Sequence, residues 1–261
     1  EMLRSLVGSE MCIRDSYNSS SFIRSAIESV FSQSHSEIEY IVIDGGSNDG
    51  TIDIVNEYAD RIAHIVSEPD KGIYDAMNKG IALSTGDVIG ILNSDDFYLH
   101  SDVIADLEAE FVKKECAYLV LGNVDFVHPD DLFKPVRFYS SFKFAFWKMR
   151  FGLMPAHPGT FIKKSAYDKV GQYKLGYKSA ADFDMFVRML VVARLPYVKL
   201  NKTLVRMRVG GVSTSGFKSY AITTKEVLRS LKENQIYSNR LMVLMRLPVK
   251  FSQLLLNKFR G

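Results

Sequence analysis

The chain has 261 residues, 47% hydrophobic and 24% charged, with a formal net charge of +3. That length holds one large α/β domain or two small ones, and that composition excludes a disordered chain. Two cysteines, Cys12 and Cys116, exclude a disulfide framework and point to a reducing compartment, while no uncharged apolar run reaches the roughly 18 residues of a membrane span and the N-terminus lacks a signal peptide's apolar core.

In chain order, residues 1–16 carry neither strand alternation nor a helical stripe and read as an atypical segment without a strand. From Ser19 a helix is predicted, because Phe22, Ile23, Ala26, Ile27, Val30 and Phe31 recur at helical spacing. Ile38–Ile43 is a β-rich run that ends at Asp44 and the glycine-rich turn Gly45-Gly46-Ser47-Asn48-Asp49-Gly50. Thr51 then caps a helix bearing Ile52, Val55 and Tyr58. The cycle repeats: strand Ile62–Val66, helix Ile73–Leu83, strand Val88–Leu92, helix Val103–Lys113, strand Tyr118–Leu121. Alternating strands and helices predict a mainly parallel sheet with ligands at the carboxyl ends of its strands. The acidic turns at Asp44 and Asp95-Asp96 both fall there.

The second half is less regular. Phe138–Phe151 is rich in aromatic and basic residues, Pro155–Thr160 reads as a turn, and Ser179–Val192 as a helix that opens on acids. Residues 217–261 form an amphipathic helical tail. From Lys218 onward nine Lys/Arg face two Glu, a local charge of +7, which points to an anionic membrane surface, the equal alternative being a helix packed on the catalytic domain. Without interleaved aromatics, nucleic acid is not the expected partner. On one face of the tail stand Arg246, Lys250, Gln253 and Asn257.

Each chemistry-bearing motif has two readings. Two adjacent carboxylates, Asp95-Asp96, at a strand end suit a divalent cation bridging a diphosphate, or equally cap the next helix. Asp44 lacks the spacing of a dinucleotide fingerprint; it accepts hydrogen bonds from a base or ribose, or else belongs to an ordinary tight turn. Lys71 and Asp75 reach a nucleotide, unless Asp75 and Lys79 are only a helix-face pair. Asp182, in a helix's first turn, takes a proton from an attacking hydroxyl or simply caps. The histidines lack metal-ligand spacing, and only His157, beside Pro158-Gly159, draws notice.

Taken together, Tyr17-Asn18, the Ile41–Thr51 and Ser67–Gly80 stretches, Thr85-Gly86-Asp87, Asn93–Asp96 and Asp182-Phe183-Asp184 resemble, in order, family 2 glycosyltransferases of the colanic-acid and exopolysaccharide branch. The resemblance runs from about Tyr17 to Ser215. It implies a GT-A fold in a domain over 17–216, with a Rossmann-like, mostly parallel sheet. It also implies inversion at the anomeric carbon, a nucleotide-sugar donor (a UDP-sugar), Mn2+ or Mg2+ as cofactor, and a glycan or lipid-linked acceptor. Donor contacts fall on Tyr17, Asn18, Asp44, Lys71, Asp75, Asp95 and Arg208. Asp96 is the implied metal ligand and Asp182 the implied catalytic base, with His157 and Asp184 facing acceptor or donor. The cytosol, or the inner face of the cell membrane, is the expected place of work. The resemblance departs at residues 1–16, where family members have an apolar strand; the first strand is expected to be replaced or missing. The rival readings are a sugar nucleotidyltransferase and a non-catalytic nucleotide-binding remnant.

Overall fold

The apolar runs before Asp44 and Asp95 bury both of their faces. The computed structural model of the chain, which describes residues 10–210 and 216–247, sends Tyr40 and Val42 to one side of a sheet and Ile41 and Ile43 to the other, none more than 1% exposed. A strand covered on both sides needs such continuous hydrophobicity.

The strands are β1 (Glu10–Ser16), β2 (Ile38–Asp44), β3 (His64–Ser67), β4 (Val88–Asn93), β5 (Phe97–Tyr98), β6 (Leu119–His128), β7 (Asp131–Tyr139), β8 (Thr160–Lys163) and β9 (Tyr197–Arg208). The helices are α1 (Ile23–Phe31), α2 (Thr51–Asn56), α3 (Ile73–Leu83), α4 (Val103–Lys113), α5 (Lys164–Val170), α6 (Ala181–Phe186), α7 (Gly216–Glu233) and α8 (Arg240–Leu244); α6 runs on into the wider π turns of Val187–Val192. One core joins the sheet to α3, α6 and α7, and the other joins it to α1, α2 and α4.

The sheet order is β3-β2-β1-β4-β8-β6-β9-β5, with β7 on β6. β3, β2, β1 and β4 run parallel, but β8 is antiparallel to both neighbours. The sheet is therefore more mixed than alternation predicts. After β6 the chain turns through the β7 hairpin and two 3-10 turns with no crossover helix, and so enters β8 reversed. β8 sits tightly on β4: a Cβ on Gly90 would stand 2.4 Å from the buried Phe161 ring. On the far side the cross-strand pair Asp125–Arg206 is bidentate, at 2.8 and 2.7 Å, and fixes the register of β9.

One expectation is corrected. A strand does fill the first slot, since β1 pairs in register with β2 and β4 in the middle of the sheet. Backbone hydrogen bonds make that pairing, so a segment of mixed polarity accomplishes it without the apolar pattern sought in the sequence. Of the two readings of the chain after 216, packing on the domain holds for its described part: Val227, Leu231 and Val243 are buried in the α3–α6 core. Arg246, expected on a polar outer face, is 4% exposed, stacks over Tyr220 and donates to its hydroxyl (3.0 Å) and to Thr224 Oγ1 (2.6 Å). The tail's remaining positions, with Lys250, Gln253 and Asn257, lie outside the described residues. Among those described, no helix is long and apolar enough to cross a membrane.

Candidate active site

The carboxyl ends of β1, β2 and β4 share one edge, and the first cluster forms there. Asp44 is fully buried, and its carboxylate accepts from Ser16 Oγ (2.9 Å), Ser47 Oγ (2.5 Å), Ser67 Oγ (2.7 Å), Gly46 N (3.1 Å) and Ser47 N (2.9 Å). Burial alone would push this carboxyl up; the bonds from Ser47, Ser67 and Ser16 outweigh it and hold the group below its ordinary value. A carboxylate offers about four lone-pair sites, so the turn itself fills Asp44. Asn18, at φ 48°, ties the same turn, donating from its N to Ser47 Oγ and accepting from Asn48 N. Tyr17 is 64% exposed, and its ring lies beside Gly45, where an added Cβ would stand 2.8 Å from the Asp70 carboxylate and 3.4 Å from the Tyr17 ring. Thr51 opens α2 rather than capping it: Gly50 is the N-cap, and Asp49 before it accepts from Thr51 N (3.1 Å).

The second cluster follows β4. Asp96 is fully buried and accepts from Asn93 Nδ2 (3.3 Å), while Ser94 Oγ meets Ser19 Oγ at 2.6 Å, joining this turn to the end of β1. Arg208, expected on a donor diphosphate, instead lies 7% exposed beneath the turn. It donates to the Asp95 carbonyl (2.6 Å) and Ser25 Oγ (2.8 Å) between the Phe22 and Phe97 rings, which hold a desolvated guanidinium by cation–π attraction. The loop after it, residues 211–215, lies outside the described residues.

No cluster of three or more His, Cys, Asp or Glu gathers among the described residues. Mg2+ and Mn2+ bound with a substrate diphosphate need only one or two carboxylates. Asn93 Oδ1, buried beside Asp96 with no hydrogen-bond donor on it, adds an oxygen to this corner that fits a hard cation.

The third cluster surrounds Asp182 in the first turn of α6. Tyr74, from the first turn of α3, donates to Asp182 Oδ1 at 3.4 Å, stacks on Tyr173, and Tyr173 Oη meets His157 Nε2 at 2.8 Å. Asn78 locks Tyr173 with reciprocal backbone bonds of 2.9 Å. α3 follows β3 after a short turn, so Tyr74, in its first turn, meets Asp182 from the β3 side of the α3–α6 core. Burial raises the Asp182 carboxyl to about 6, and burial lowers His157 to about 4, so the imidazole is neutral near pH 7. A concavity of about 230 Å³ adjoins Tyr74, lined by Lys71, Leu175, Tyr177 and Lys178.

Two expected site residues do other work. Asp184, fully buried, points away from the cavity and binds Arg188 Nε (2.9 Å), Lys174 Nζ (3.3 Å), Ser230 Oγ (2.8 Å) and Asn234 Nδ2 (3.1 Å). Alternate residues of a helix face opposite ways, so Asp182 and Asp184 cannot share a cavity. Asp75 accepts from Lys71 N (3.1 Å) and fastens its own turn; Lys79 pairs more closely with Glu68 (2.7 Å) than with Asp75 (3.8 Å). Sequence reasoning missed Ser16, Tyr74, Tyr173 and Asn93. Only the position of Tyr74, at the start of a helix entering from a strand tip, carried any local signal.

The profile of Glycosyl transferase family 2 matches residues 13–171. The chain belongs to that family. The match begins inside β1, four residues before Tyr17, and membership sets aside the nucleotidyltransferase reading. A "PGL/p-HBAD biosynthesis glycosyltransferase" of Mycobacterium bovis is 27% identical over 235 residues, covering 87% of this chain and 86% of its relative. Among solved structures, TarS 1–349 of S. aureus in complex with UDP-GlcNAc superposes with a TM-score of 0.66 at 17% identity, over 85% of this chain and 66% of that one. Glucosyl-3-phosphoglycerate synthase of Mycobacterium tuberculosis, solved with Mn2+, UDP and glucosyl-3-phosphoglycerate, gives 0.63 at 16% identity, over 91% and 84%. These likenesses establish the GT-A fold of this family 2 glycosyltransferase.

Proposed function

We propose that this glycosyltransferase is metal-dependent and inverting, and moves a sugar from a UDP-sugar to a hydroxyl of a glycan or lipid-linked acceptor in bacterial polysaccharide assembly. The observation that carries the reading is Asp182: a buried carboxylate with raised proton affinity, held by Tyr74 from the first turn of α3. Asp182 takes the acceptor proton, the acceptor oxygen bonds to the anomeric carbon, and the bond from that carbon to the diphosphate breaks on the opposite face. Tyr17 and Asn18, on the turn that Asp44 organises, hold the base, with Lys71 beside it. His157 orients Tyr173 beneath the acceptor side. Asp96, with Asp95 and Asn93 nearby, would hold Mn2+ or Mg2+, which neutralises charge on the departing diphosphate.

Calorimetry of UDP binding tests the reading. Wild type binds UDP with Mn2+ present, and Asp96→Ala weakens that binding about tenfold or more, near 1.4 kcal/mol. Mn2+-dependent binding at full strength in Asp96→Ala removes this residue from the site.

A peripheral position on the inner face of the cell membrane is the second part of the proposal. Leu241, Leu244 and Met245 follow one another around α8 and are 73%, 41% and 52% exposed. Ser238 Oγ bonds the Arg150 carbonyl, and Gly152 packs on Val243, which places exposed Phe146 and Trp147 with Lys148 and Arg150 close by. Apolar side chains rimmed by cations match an anionic lipid surface. Vesicles rich in anionic lipid should pellet the protein, and Trp147→Ser with Leu241→Ser should lower the bound fraction severalfold. Equal recovery with and without vesicles ends the idea.

A further inference from the structure

Glu226 is a buried acid that the reaction above does not use. It lies on α7, 8% exposed, and unlike Asp184 it has no lysine or arginine pairing with it among the described residues. Its partners are peptide groups: Lys178 N donates to Oε1 at 2.7 Å and Ser179 N to Oε2 at 2.9 Å. The Ser179 hydroxyl bonds Thr223 Oγ1 (2.8 Å) on the same helix. The same hydroxyl also reaches Glu226 Oε2, at 3.4 Å. A buried charge held mainly by backbone N–H groups fixes that backbone closely, because movement of the segment strips the carboxylate of its nearest partners.

The backbone so fixed leads straight into the first turn of α6. Lys178 lines the concavity beside Tyr74, and Asp182 follows four residues on. α7 thus grips the segment that delivers the base from one side, while Tyr74 of α3 meets the base from the other.

We propose that Glu226 is a positioning residue for Asp182, and that α7, beyond the 13–171 span of the family match, is a working part of the active site. The inference rests on Asp182 being the base. The charge of Glu226 has a second effect. The groups facing Asp182 are Tyr74 from α3, Tyr173 from the loop after α5, and Glu226 from α7; burial is the main cause of its raised proton affinity, and Glu226 adds to it.

The test measures hydrolysis of a UDP-sugar, with water as acceptor, for wild type, Glu226→Ala, Glu226→Gln, Lys225→Gln and Asp182→Asn. Calorimetry of Mn2+–UDP runs in parallel. Glu226→Ala should lower kcat about tenfold or more while the donor KM and UDP affinity stay within about twofold. Glu226→Gln, which keeps an acceptor oxygen but not the charge, should recover part of kcat and move the acid limb of the rate profile to lower pH. Lys225→Gln, on the exposed side of α7, should match wild type. Wild-type kcat in Glu226→Ala overturns the proposal. Should Glu226→Ala fail to fold, an unshifted pH limb and unchanged kcat in Glu226→Gln overturn it as well. Full turnover in Asp182→Asn sinks the base assignment instead, so the two failures are told apart.

Discussion

Asp182→Asn is expected to cut sugar transfer by about 10²–10⁴-fold, the usual worth of a general base, while UDP binding with Mn2+ stays within about twofold. Asparagine keeps the shape and accepts from Phe183 N as the carboxylate does at 2.8 Å, so the fold around it survives. The pH profile follows from the raised proton affinity. Only ionised Asp182 takes a proton, so the rate should climb as pH rises through about 6 and level off above it. Stability runs the other way. A carboxyl raised from 3.8 holds its proton more tightly folded than unfolded, so its contribution is full at low pH and fades as pH rises through about 6. Asp182→Asn should therefore melt no lower than wild type at pH 8, and a clearly lower melting temperature would contradict the burial argument.

Two residues on, loss of a carboxylate has the opposite consequence. Asp184→Ala strands Arg188, Lys174, Ser230 and Asn234 around a lost carboxylate, and breaking a buried pair in this way costs about 3–5 kcal/mol. At about 2–4 °C per kcal/mol for a chain of this size, thermal melts should fall by about 6–20 °C. Since α6 and α7 are joined there, the loss should include partial detachment of α7, seen as faster amide exchange over Gly216–Glu233. A melting temperature within a degree or two of wild type would show that this network contributes little.

The sequence is most legible where a structural choice is local. α3 and α4 begin and end where their apolar spacing places them, and β2 and β4 differ from expectation by one residue at their ends. The strand-tip location of Asp44 and of Asp95-Asp96 follows from alternation alone. What stayed hidden depends on partners distant in the chain. Arg208 reads as a donor contact until β9 carries it between Phe22 and Phe97. Asp184 reads as a site acid until α7 arrives with Ser230 and Asn234. β8 is four residues long, and nothing within it records that it runs backward.

Asp44 has a consequence for how fast a nucleotide is taken up. With its oxygens already occupied by Ser16, Ser47, Ser67 and two backbone amides, the loop beneath the ligand has lost its freedom during folding rather than at the moment of encounter. Docking then demands little rearrangement from this side of the cleft, and association should approach the pace set by diffusion and orientation alone.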